Sequence, residues 1–138
     1  MDIFDIAVYF ESKVAQWAQQ QTPAIPVSYE NVTFTKPNNF TPFVEVMLLP
    51  NVTMNRQVDG TKKTLLGFCQ INVWTANGSG MGLGRSLAGK LIDLFPIVPK
   101  SGILSIESTP TAEAILRDSS GGWIITPVLI KYRCESSV

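Results

Sequence analysis

The stretch that decides the fold is residues 65–95, which reads LLGFCQINVWTA, then NGSGMGLGR, then SLAGKLIDLF. In the first part the odd positions are almost wholly apolar, and this period of two predicts a strand with one face toward a core. In the second part glycine at every second position lets the backbone turn. Apolar residues then recur at helical spacing until Pro96, which ends the predicted helix. The helical positions are Leu83, Leu87, Leu91, Leu94 and Phe95.

A nucleotide-binding alternative for this stretch fits poorly. The run from Gly84 to Lys90 matches the first seven positions of the phosphate-binding loop GxxxxGK[ST], but the eighth residue is Leu91. Without Ser or Thr at that position there is no hydroxyl for a magnesium ion. We therefore interpret the glycine-rich run as a flexible connector.

Length and composition exclude several classes of function. The chain of 138 residues predicts one domain, residues 1–138. Its 11 basic and 11 acidic residues give a net charge of zero, which predicts neither nucleic acid recognition nor binding to an anionic membrane. No apolar run is long enough to span a bilayer. The first residues lack the positive charge of a secretory signal, so we expect none.

Residues with catalytic or metal-binding chemistry do not cluster along the chain. Histidine, the commonest general base and metal ligand, is absent. Cys69 and Cys134 lie in apolar runs, which favours small buried side chains over a disulfide or a metal site. We therefore expect no catalytic residue, no cofactor, no metal and no enzymatic activity.

The N-terminal segment predicts a helix over residues 2–20. Its apolar stripe has helical spacing and is typical of core contact rather than of a membrane helix. A weak alternation over residues 27–34 indicates a short edge strand. The stripe consists of Ile3, Ile6, Ala7, Phe10, Val14 and Trp17.

A long β-hairpin is predicted between residues 43 and 75. Asp59 and Gly60 are typical of a two-residue type I′ turn, which would place Leu48 opposite Ile71 and Val46 opposite Val73. The apolar faces of the two strands then coincide.

The hairpin tip, residues 51–64, is mostly polar and would project from a compact domain. It contains three positively charged residues, Arg56, Lys62 and Lys63, and one negatively charged residue, Asp59. Two interpretations stay open and are compatible: an arm that grips a neighbour, or a loop that is disordered in the isolated subunit.

The C-terminal third predicts further strands. GILSIES, residues 102–108, reads as a short strand, whereas TAEAILRD, residues 111–118, is ambiguous between extended chain and a helical turn. In the last strand, residues 123–134, Pro127 predicts an edge position or a bulge. The predicted fold class is α+β: a mixed, mainly antiparallel sheet of four to five strands with a long β-hairpin, packed against two α-helices.

Aromatic side chains remain on the second face of this sheet. Two helices can cover only one face, which leaves Phe68, Trp74, Trp123 and Leu129 for the other face or its rim. A partner surface explains them, and a loop folded over them is the alternative.

The order of these elements resembles a known family. The N-terminal helix, the long hairpin whose second strand ends near Trp74, the glycine run before SLAGKLIDLF and the final strand GWIITPVLIKY are similar to the small tail terminator, or tail completion, proteins of long-tailed bacteriophages. The likeness covers most of the chain.

The resemblance implies a structural virion protein. Such a subunit forms a hexameric ring on the head-proximal end of the tail tube, stops tube elongation and provides a docking surface for the head or neck. The implied partners are other copies of the chain, the tube protein and a neck protein, with assembly in the bacterial cytoplasm. The predicted contact residues are Asn51, Met54, Asn55, Arg56, Asp59, Lys62, Lys63, Phe68, Trp74, Gly80, Met81 and Arg85.

Two other functions remain open at this point. A neck or head-completion subunit would share the fold type and differ in its partner. A small enzyme or ligand-binding domain would need a deep pocket with convergent polar groups.

Overall fold

A computed structural model describes most of the chain. The residues described are 3–37, 40–55, 62–78, 80–97, 104–106, 109–112, 116–117 and 122–137. The predicted turn at Asp59 and Gly60 lies outside them, as does Arg56.

The described residues form two helices and seven strands in an α+β arrangement, which confirms the predicted class. The elements in chain order are α1 (Ile3–Gln19), β1 (Val27–Ser28), β2 (Phe43–Asn55), β3 (Lys62–Ala76), α2 (Gly82–Leu94), β4 (Leu104–Ile106), β5 (Thr111–Ala112), β6 (Leu116–Arg117) and β7 (Trp123–Ser137). The ambiguous segment after residue 110 is therefore extended where it is described.

The strands form a mixed, mainly antiparallel sheet. Its order is β1-β2-β3-β7-β4, and β5 and β6 also pair with β7. Strand β1 is parallel to β2, and every other described pair is antiparallel. The three long strands β2, β3 and β7 therefore form its centre.

One face of the sheet, here called the inner face, packs against both helices. Ile6, Phe10 and Val14 on α1 and Leu91 on α2 are completely buried. Phe10 joins the two layers, since its ring lies 5.4 Å from that of Phe95 and 5.7 Å from that of Tyr132 on β7. Burial of each large apolar side chain stabilises the fold by roughly 1.5–3 kcal/mol. The sheet contributes Val44, Val46, Cys69, Ile71, Val73, Val128, Ile130, Tyr132 and Cys134 to this core.

The predicted hairpin register is wrong by two residues. Leu48 pairs with Cys69, and Val46 pairs with Ile71. A bulge between Pro50 and Val52 accounts for one residue of this shift. The other is already present beyond the bulge, where Asn55 pairs with Lys63 rather than with Thr64. A shift of two leaves each side chain on its predicted face, so the core composition is correct although the pairing is not.

Two further positions differ from the simplest interpretation of the sequence. Leu83 is 49% exposed rather than part of the core, because Gly84 occupies the buried position in the first turn of α2. Pro127 lies in an interior strand, opposite Asn72, and the register between β3 and β7 has no bulge there. On the other side of β7, none of the described residues pairs with Pro127. The described pairings shift by one residue across it, from Ala112 opposite Val128 to Leu116 opposite Ile125, which agrees with the bulge that the proline predicts.

Gly67 lets a tyrosine cross the inner face of the sheet. It pairs with Tyr132, and a Cβ added at Gly67 would lie 2.6 Å from the tyrosine hydroxyl and 2.7 Å from the carbonyl oxygen of Leu49. The phenol therefore fills the space over the glycine and reaches toward β2. Only glycine permits this contact between the three central strands.

Candidate assembly surface

The opposite, outer face of the sheet ends in an aromatic cluster. Trp74 stacks on Phe43 at a ring separation of 5.2 Å, and Trp123 lies edge-on to both. Phe34 packs on Phe43 at 5.0 Å, and Phe40 packs on Trp123 at 5.1 Å. The Phe34 and Phe40 rings therefore cover this end of the face, which agrees with the second interpretation of these aromatics.

A polar ladder lies beside the cluster. The Asn72 amide donates to the Glu45 carboxylate at 2.9 Å, and the Gln70 amide donates to the Asn72 carbonyl oxygen at 2.8 Å. Asn72 is buried, so these bonds satisfy a polar group that would otherwise destabilise the fold. The ladder connects β2 to β3 and supports the observed register.

The middle of the outer face is only partly covered. Both helices pack on the inner face, which leaves Met47, Phe68 and Leu129 half-buried and Leu49 40% exposed. Phe68 pairs with Leu49 on one side and with Lys131 on the other. The half-buried Phe68 thus lies in an apolar strip, bordered by charge, of the kind that protein contacts use.

The hairpin arm is a continuous ribbon where it is described. Strands β2 and β3 stay paired to Asn55 and Lys63, and β7 accompanies β3 as far as Lys62. Beyond the bulge at Asn51 this ribbon extends about 17 Å, at about 3.3 Å per residue. Of the predicted contact residues, Asn51, Met54, Asn55, Lys62 and Lys63 belong to it.

Gly80, Met81 and Arg85 lie at the other end of the same strand. Gly78 and Gly80 have positive φ angles of 90° and 88°, which explains why the connection needs glycine at these two positions. Arg85 and Gly80 are exposed. These three residues and the arm residues therefore lie at opposite ends of β3, about 46 Å apart along the strand, and Phe68 lies between them.

The phosphate-loop alternative conflicts with the local structure. The whole run from Gly84 to Lys90 lies inside α2. A phosphate-binding loop needs backbone amides that point into a turn before the helix, and here those amides belong to the helix itself.

A cleft along β2 was not predicted from the sequence. It has a volume of about 460 Å³ and lies between the segment that follows β1 and the outer face of β2. Its charged lining residues are Glu30, Glu45 and Lys36, and the Lys36 ammonium lies 4.7 Å from the centre of the Trp74 ring. The weak alternation over residues 27–34 predicts a strand and not a cleft, so only tertiary structure reveals it. The apolar part of its lining comprises Val32, Phe34, Phe43, Val46, Met47 and Trp74.

Glu30 also protects the edge of the sheet. In the described structure, strand β1 pairs with Val44 and Glu45 of β2. Beyond this pairing, the first backbone amide of β2 that points away from β3 is that of Leu48, and it donates to Glu30 Oε1 at 2.5 Å. Alternation along the strand then directs Pro50, which has no amide hydrogen, toward the same edge. The outer edge of β2 is therefore occupied or without a donor up to its bulge.

A second cleft of about 430 Å³ shares one wall with the first. The shared residues are Tyr29, Glu30 and Val32, and Glu11 and Ser12 of α1 complete it. Burial raises the pKa of Glu11, and the negative charge of Glu30 raises it further. The two carboxyl groups thus give this side of the molecule a negative potential.

The two cysteine thiols of the chain are buried. Burial raises the pKa of the Cys69 and Cys134 thiols, which stay neutral and poorly nucleophilic. In the described parts of the chain, no group of three His, Cys, Asp or Glu side chains is placed to hold a metal ion. No described helix is long and apolar enough to cross a membrane.

Comparison with known proteins identifies relatives by sequence and by fold. A family model described as "Phage tail terminator protein" matches residues 5–132. A solved structure superposes with a TM-score of 0.76 at 24% identity, and the match covers 97% of this chain and 96% of that one. At this identity the structural likeness shows a shared fold. A comparison with curated proteins finds no match.

Proposed function

This chain belongs to the phage tail terminator family, and on that premise we propose that it caps the tail tube as a hexameric ring. Membership of the family gives it a structural role in the phage tail. In the proposed role, the ring sits at the head-proximal end of the tube, prevents further tube subunits from adding and offers its other side to the neck or head. The work is differential binding, without a reaction to catalyse.

The observation that supports this proposal most is the three-stranded ribbon formed by β2, β3 and β7. It extends beyond the bulge at Asn51 and carries the predicted contact residues of the arm. A paired ribbon holds a defined direction, so it can reach a neighbouring subunit at a fixed angle. The partly covered strip around Phe68 offers a second contact area, and Gly80, Met81 and Arg85 offer a third at the far end of β3.

Addition of purified protein to isolated tail tubes tests the proposal. We expect negative-stain micrographs to show extra density at one tube end, and tubes capped in this way should no longer elongate when tube protein is added. Continued elongation at normal rate would refute the capping role. Binding to filled heads or portals, with no binding to tubes, would instead support the neck or head-completion function that shares this fold type.

A further inference from the structure

We propose that the cleft along β2 receives the hairpin arm of a neighbouring copy of this chain. The cleft is the one lined by Glu30, Glu45 and the apolar residues named above. This inference rests on the proposed ring and specifies the contact from which the ring is built.

Charge complementarity favours the arm as the occupant. The carboxylates of Glu30 and Glu45 lie in the cleft, and Glu11 adds negative charge behind the shared wall. The only cation in the cleft lining of the described structure, Lys36, lies over the Trp74 ring. The arm, residues 51–64, carries three cations and one anion, a net charge of +2 in a chain whose total is zero. Oppositely charged surfaces of one protein attract each other during encounter and fix the orientation of docking.

The apolar lining of the cleft suits the same occupant. Val32 is 59% exposed at the rim, and Met47 and Trp74 are half-buried. The arm sequence NVTMNRQVDGTKKT interleaves Val52, Met54 and Val58 with its polar residues. Such a segment supplies apolar side chains for the cleft and cations for its carboxylates.

Strand geometry makes this contact intermolecular. The cleft lies at the start of β2, around Glu45, whereas the arm begins after the bulge and continues to Asn55. The ten residues between Glu45 and Asn55 span about 33 Å of strand that leads away from the cleft. An arm therefore cannot reach the cleft of its own subunit and is available to the cleft of the next.

The symmetry of the contact follows from its two different surfaces. One copy contributes its cleft and the next contributes its arm, which is a heterologous, head-to-tail interface. Repetition of such an interface closes into a ring when the rotation per subunit divides a full turn. The inferred contact is thus of the type that a cyclic cap requires, whereas a two-fold symmetric contact would stop at a dimer.

Charge removal gives the first test. Glu30→Gln and Glu45→Gln keep the oxygens that accept hydrogen bonds from Leu48 N–H and Asn72, and they remove two negative charges. We expect the double variant to fold normally and to self-associate about five- to tenfold more weakly in analytical ultracentrifugation. Asp93→Asn, on the exposed face of α2, is the matched control and should associate like wild type.

Charge reversal gives the second test. A cleft variant (E30K, E45K) and an arm variant (R56E, K62E, K63E) should each fail to form rings when alone. Combination of all five substitutions in one chain should restore ring formation. An equal mixture of the two variants should also form rings, with the variants alternating and therefore with an even number of copies. Circular dichroism checks that each variant is folded before association is measured.

The outcomes separate this inference from the proposed function. If wild type and both charge variants form rings or cap tubes equally well, the cleft-to-arm contact is wrong while the capping role stands. If each reversed variant fails and the combined variant also fails, the pairing of these two surfaces is wrong. If wild type neither self-associates nor binds tubes, both proposals are wrong.

Discussion

Gly67→Ala tests the packing of Tyr132 across the three central strands. The added Cβ would lie 2.6 Å from the Tyr132 hydroxyl and 2.7 Å from the Leu49 carbonyl oxygen, well inside normal carbon–oxygen contact. Tyr132 is completely buried, and the carbonyl belongs to the backbone of β2, so neither can withdraw without disturbing the core or the sheet. Overpacking costs about 1–3 kcal/mol. We expect the upper end, about 3 kcal/mol, because three contacts are violated, the third with the Tyr132 ring carbon at 2.8 Å.

Urea denaturation followed by tryptophan fluorescence measures this loss. With a slope of about 1.5 kcal/mol per molar urea, a loss of about 3 kcal/mol lowers the midpoint by about 2 M. A midpoint within about 0.3 M of wild type would refute the argument, since it would mean that the sheet accepts a side chain at this position.

Tyr132→Phe supplies the matched control. In the described structure the buried Tyr132 hydroxyl has no hydrogen-bond partner, so its removal should be neutral or should stabilise the fold by about 1 kcal/mol. In the double variant the contact at 2.6 Å is absent, whereas the Tyr132 ring carbon at 2.8 Å and the Leu49 carbonyl oxygen at 2.7 Å remain, so we expect a coupling free energy of at most about 1 kcal/mol between the substitutions. Simple additivity would show that the hydroxyl does not cause the strain.

Four further predictions follow from the helices, the core thiols and the arm. Gly89→Ala, in mid-helix with nothing within 4 Å of the new Cβ, should stabilise the folded state by about 1 kcal/mol. Gly84→Ala should not, because its Cβ would lie 2.9 Å from the hydroxyl of the buried Thr126, and chemical denaturation compares the two variants. Burial raises the pKa of Cys69 above its ordinary value of 9.0, so the contribution of this thiol to stability should be constant below about pH 9 and should be lost as the pH rises further; the fall in stability above pH 9 should therefore be smaller in Cys69→Ala. Deletion of residues 51–63 should leave a folded monomer that forms no rings, and ring formation by this variant in electron micrographs would contradict the role of the arm. Lys90→Ala should change neither stability nor assembly, and loss of a measurable nucleotide affinity in that variant would revive the phosphate-loop hypothesis.

Local patterns in the sequence were sufficient for the elements and for the faces of the sheet. The period of two in β3 correctly assigned Ile71 and Val73 to the core, and the helical spacing correctly assigned Phe10 and Leu91. These assignments depend only on the geometry of a single strand or helix, which each element imposes on its own side chains.

Differences from these predictions arose where two distant segments determine the outcome. The register depends on a bulge beside Pro50, and the position of Pro127 depends on how β5 and β6 approach β7. The cleft depends on where the irregular segment after β1 lies against β2. No local period encodes these relations, so the part of the surface with the strongest complementarity to the arm was missed.

The bonded outer edge of β2 has a consequence for how two copies of this chain can meet. A strand with unused amides would allow two copies to merge their sheets, and such a merger is difficult to reverse. Here the Glu30 carboxylate and the proline at position 50 remove that option along this part of the edge. Two copies that meet along this part of the edge then contact each other through side chains, and such a contact separates more readily than a shared sheet.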